Sequence, residues 1–79
     1  MKREIKIAEN IRNLRKAQGY RSARALAEAL AVRGYYYSVS LVKNWEAGYR
    51  QPTIEGIAAL CDVLGVPADA LLFGDVDKK

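Results

Sequence analysis

Five of the six glycines in this 79-residue chain stand where an apolar run of helical spacing gives out. Gly19, Gly34, Gly48, Gly65 and Gly74 cut the sequence into short segments, and a glycine just past such a run readily ends a helix. A chain punctuated in this way cannot build one long helix. It folds as several short helices that must bury their apolar stripes against one another. Hydroxyl residues mark the opposite ends: Ser22, Ser38 and Thr53 each precede a segment and can accept from a free first-turn N–H. The expected fold class is all-α, with five helices.

The first segment, Arg3 to Gln18, sets Ile7, Ala8, Ile11 and Leu14 on one stripe, with Ala17 close to it and Arg12, Arg15 and Lys16 on other faces. The second opens at Ser22 and carries Ala25, Leu26, Ala29 and Leu30. It is slim and alanine-rich, which allows a close approach to a steeply crossing neighbour. It can run to about Arg33 before Gly34, and Tyr35, Tyr36 and Tyr37 then bridge to Ser38. Three consecutive tyrosines can also read as a strand, but no partner run lies nearby, so a loop is expected. Thr53 caps the fourth helix, whose stripe is Ile57, Leu60, Cys61 and Leu64. A short fifth helix starts near Pro67 and carries Leu71 and Leu72. Asp75 to Lys79 is a polar tail. The expectation is one domain over 1–79, with its core at about 4–74.

At this length one modest core is all the chain can build, and a large active-site cleft is not expected. No apolar run approaches the roughly 18 residues that a membrane span needs. Met1 to Glu9 mixes charges where a signal peptide would be apolar, so a cytoplasmic protein is expected. Cys61 is the only cysteine and histidine is absent, so neither a disulfide, an ordinary zinc site nor a nucleophile with its base is expected. No cofactor is implied and no enzymatic activity is expected. The net charge is +4, unevenly spread: residues 1–50 hold eleven Lys or Arg against four Glu, and residues 51–79 hold two Lys against five acids. A basic front half suits a polyanionic partner.

The segment from Ser38 to Ala47 is the candidate contact element. At about 100° per residue, Ser38, Leu41, Val42 and Trp45 gather on one side, while Ser40, Lys43, Asn44 and Ala47 gather on the other. The second side is small and polar, and Val39 adds an apolar edge. Asn pairs bidentately with adenine, Ser reads either partner, Lys reaches guanine or phosphate, and a Val methyl meets the thymine methyl. Most polar helix faces are simply solvated, so these ten residues do not decide the matter alone.

The ordered series does more. Ile11, Arg12, Leu14 and Arg15, then Leu26, Ala27, Glu28 and Leu30, then Val42, Trp45, Glu46 and Gly48, and finally Pro52, Thr53, Ile54, Leu60, Leu64, Gly65, Val66 and Leu71 resemble the Cro and phage-repressor (lambda-repressor-like, XRE-type) helix-turn-helix family over about Ile7 to Gly74. The resemblance implies a third helix in the major groove and a second crossing the backbone. By position it puts Val39, Ser40, Lys43 and Asn44 at bases. It puts Ser22, Ala23, Arg24, Arg50 and Gln51 at phosphates, and it pairs Arg15 with Glu46. It implies a repressor-like regulator of phage or mobile-element type, binding a palindromic double-stranded operator as a homodimer. A protein-interaction module, such as an antitoxin that also holds a partner protein, is the competing reading. Steep weakening by salt would distinguish the first from the second.

Two features depart from the family. One extra residue, Arg21 or its neighbour, precedes Ser22, and the turn between helices two and three is lengthened by about five residues. Those residues either extend the second helix or bulge as a loop. Tyr37 takes the place of a buried aliphatic, so its ring is expected beside Trp45, with Tyr35 and Tyr36 further out, capping the turn or reaching a phosphate. Arg21 and Arg33 are open between phosphate contact and solvent. Leu72 and Phe73, where the last helix ends, are the expected dimer contact, with at least one left uncovered.

Overall fold

Ser22, Ser38 and Thr53 do cap: their side-chain oxygens accept from the backbone N–H of Ala25, Leu41 and Gly56 at 3.1, 3.1 and 3.2 Å. The helices they open are three of the five in the computed structural model, which describes residues 6–74. In chain order these are α1 (Ile7–Ala17), α2 (Ala23–Val32), α3 (Val39–Ala47), α4 (Ile54–Leu64) and α5 (Ala68–Phe73). No strand occurs among the described residues, and Tyr35 to Tyr37 form a loop. The expected tail, Asp75 to Lys79, lies outside them. Lys6 is already non-helical, so α1 begins later than the expected Arg3, which itself lies outside the described residues.

One device closes the first four helices. A backbone N–H just beyond the glycine reaches back to the carbonyl five residues earlier: Tyr20 to Arg15, Tyr35 to Leu30, Tyr49 to Asn44 and Val66 to Cys61, at 3.0, 2.9, 3.0 and 3.2 Å. This Schellman closure satisfies otherwise orphaned carbonyls and needs a left-handed residue just before the donor. Gly34, at φ +92°, supplies it for α2. The lengthened connection therefore does not prolong α2 beyond Val32, and its extra residues bulge outward.

α1 packs on α3 and α5, α2 on α3 and α4, and α4 on α5. At the centre Ile11, Leu26, Leu30, Val42, Leu60, Leu64 and Leu71 are shielded from water, with Trp45 beside them. Each such burial contributes about 1.5–3 kcal/mol before entropy is set against it. α3 is thus clamped from behind by α1 and α2, with one side left outward.

Several stripes sit differently from their expected positions. On α4 the buried residues are Gly56, Ala59, Leu60, Val63 and Leu64, while Ile57 and Cys61 are only half-buried at the edge. The reason is Gly56: a Cβ there would stand 3.1 Å from the Pro52 Cβ and 3.3 Å from the Trp45 ring, so α4 turns its glycine toward Trp45. Cys61 is therefore not a core residue, although its partial burial still pushes its thiol pKa up. On α1, Ala8 and Leu14 are half-buried and Ala17 is exposed, while Asn10 is buried, its amide donating to the Leu71 carbonyl at 2.9 Å. α1 thus ties down α5 through a polar group. Leu41 of α3 is half-buried and Ser38 is exposed in its capping role. Leu72 and Phe73 are both half-buried; among the described residues the large apolar side chains left exposed are instead Val32, Tyr36, Tyr49 and Ile54.

Candidate nucleic-acid interface

The outward side of α3 holds what the sequence put there. Ser40 and Lys43 are exposed, and Val39 and Asn44 are half-buried. Val39 leans on the core edge, and the Asn44 side chain makes no hydrogen bond among the described residues. The Asn44 carbonyl, by contrast, accepts from Tyr49 and Arg50, which fixes the chain leaving α3 against its last turn.

Arg50 and Gln51 are exposed on that exit segment. Together with Lys6, Glu9 and Arg12 from α1 and its approach they line a groove of about 390 Å³ between the start of α1 and the end of α3. Sequence reasoning missed the α1 share of this groove. The signal in the sequence is the set of basic residues that α1 carries off its apolar stripe. Arg12 leans across to α3, its Nη1 donating to the Glu46 carbonyl.

At the start of α2, Ser22 and Arg24 are exposed, while the Ala23 methyl is buried. Ala23 can therefore meet an anion only through its backbone N–H, one of the first-turn donors of a helix N-terminus, whereas Ser22 and Arg24 also present their side chains. Arg21 is exposed. Arg33 is exposed too but already paired: its Nη1 meets the Asp62 carboxylate of α4 at 2.7 Å. The other oxygen of Asp62 accepts the Tyr35 hydroxyl at 2.9 Å, and this hydrogen bond, with partial desolvation, raises the Tyr35 pKa above its usual value. Tyr35 is therefore committed within the fold. Tyr37 lies beside Trp45 as expected, ring edge toward ring face, with centroids 5.0 Å apart at 63°. Tyr36 remains exposed.

Arg15 and Glu46 meet at 2.9 Å between Nε and Oε2, with side chains 8 % and 9 % exposed. The approach lies off the hydrogen-bonding direction, so this is an ion pair rather than a linear hydrogen bond. Arg15 also donates from Nη1 to the Tyr20 carbonyl at 2.9 Å, binding the α1 terminus into the same junction. Both Arg12 and Arg15 thereby fix α3 by its last turn, opposite the end that would meet bases.

The four base-reading candidates thus share one helix, and the phosphate candidates lie on its exit segment and at the start of α2, which packs on α3. No helix of the described residues is long and apolar enough to cross a membrane. A family model described as a helix-turn-helix domain matches residues 6–72. No curated protein and no solved structure matches the chain.

Proposed function

The chain belongs to the helix-turn-helix domain family, and from that membership we propose that it is a sequence-specific, double-stranded DNA-binding transcriptional regulator, repressor-like and of phage or mobile-element type. The observation that carries the reading is the outward side of α3, where Ser40 and Lys43 are exposed and Asn44 is half-buried while Trp45 and Glu46 lock the helix from behind. A helix held this rigidly loses little further entropy when it enters a groove.

Val39, Ser40, Lys43 and Asn44 read base edges in the major groove. Arg50 and Gln51 on one flank, and Ser22, Ala23 and Arg24 on the other, hold phosphates; they set register without reading sequence. Two copies on a palindromic operator double the few base pairs that one α3 reaches, and the half-covered Leu72 and Phe73 at the end of α5 form their contact. The regulator works in the cytoplasm, and catalysis is no part of the proposal.

Selection of bound duplexes from a random pool tests this directly. The expected outcome is an enriched palindrome whose binding weakens steeply as salt rises. Recovery of no sequence above background, or binding indifferent to salt, would overturn it.

A further inference from the structure

The connection between α2 and α3 fastens two of its three tyrosines and frees the third. Tyr35 is held at both ends, its N–H on the Leu30 carbonyl and its hydroxyl on Asp62. Tyr37 is held edge-on against Trp45. Tyr36 lies between these anchors and is 81 % exposed. It stands two residues before Ser38, the cap of α3, so its Cα is within about 8 Å of the helix start. A pinned backbone therefore presents an amphipathic side chain beside the end of α3 that reads bases, and ordering a tyrosine costs only two side-chain torsions.

We propose that Tyr36 is a DNA-backbone contact, its hydroxyl donating to a phosphate beside the bases read by the start of α3. This rests on the DNA-binding reading of α3 and adds to it a residue from the inserted connection. Tyr36 also borders a groove of about 470 Å³ that Gly34, Tyr35, Tyr37, Glu55 and Ala58 line with it. The Glu55 carboxylate repels phosphate from that groove, so the contact is made by the exposed part of Tyr36 outside it. The donor is neutral. It adds affinity without displacing a counterion, unlike the arginine contacts of the exit segment.

Tyr36→Phe, which deletes only the hydroxyl of an exposed ring, tests the assignment in titrations on the selected duplex and on point-changed versions of it, across a range of salt. The variant should melt as the wild type does. It should lose roughly five- to tenfold in affinity on every duplex alike, with an unchanged slope of log affinity against log salt, whereas Arg50→Ala lowers that slope by about one. Wild-type affinity in Tyr36→Phe would overturn the inference and leave the DNA reading standing; a loss confined to one base position would do the same. Self-association weakened in Tyr36→Ala, with DNA affinity per protomer unchanged, would give the residue to a second copy of the chain and overturn it too. A wild-type protein that binds no duplex would overturn both readings together.

Discussion

Removing the Glu46 carboxylate strands the Arg15 guanidinium, which is almost wholly shielded from water between α1 and α3. An uncompensated buried charge costs about 3–5 kcal/mol, against about 0–1 for an exposed pair. Glu46→Ala is therefore expected to lower Tm by roughly 12 °C or more, at about 4–8 °C per kcal/mol for a domain of this size. Exposed Glu9→Ala should stay close to wild type. Equal thermal melts for the two variants would remove the pair from the stability account. On the outward side the effects are on binding: Asn44→Ala should cost about 1–3 kcal/mol and relax preference at one operator position, while Arg50→Ala weakens all sequences about equally. Identical sequence profiles for wild type and Asn44→Ala would take Asn44 out of the reading set. At this scale the exposed side of α3 and the Arg15–Glu46 pair were legible, the first from periodicity and the second from the family resemblance. The partners of Arg33 and Tyr35 were not. Both meet Asp62, which lies far along the chain on a helix face that only the fold brings within reach.

Helix boundaries were legible because their causes are local. A hydroxyl accepting from the residue three places on, or a glycine in the left-handed region, is written within a few residues of where it acts. The residue just past each such glycine, Tyr20, Tyr35, Tyr49 or Val66, donates the closing bond through its backbone N–H, a role open to any residue but proline, so the glycine and not its neighbour is the signal. Helix rotation was harder to read, and α4 shows why. Its apolar residues nearly encircle it, so periodicity alone could not choose a face; the choice falls to Gly56, which has no side chain to count. Alanine at that position gains about 0.8–1 kcal/mol of helix propensity. Its Cβ, however, meets the Pro52 ring and the buried Trp45 ring, neither of which can swing away, and overpacking costs about 1–3 kcal/mol. Gly56→Ala should therefore be net destabilising by about 1 kcal/mol. A denaturant midpoint above that of the wild type would show instead that Trp45 yields, and that propensity wins.

For the whole molecule, reach decides the question. α3 has nine residues, so it is about 13 Å long and touches only a few base pairs. The body behind it measures 36 × 27 × 22 Å. No extent exceeds 36 Å, so two such bodies have room to stand with centres one DNA turn of about 34–36 Å apart, the separation of paired reading helices. The half-covered Leu72 and Phe73 leave only a small apolar contact, so the pair should form on DNA rather than ahead of it. The expected result in sedimentation is a monomer in free solution and two proteins per operator duplex at saturation. Cooperativity should vanish when about five base pairs are inserted between the half-sites, because half a turn puts the second copy on the opposite face of the duplex. One protein per duplex at saturation, or cooperativity indifferent to that insertion, would sink the two-copy arrangement while leaving the reading of bases by α3 intact.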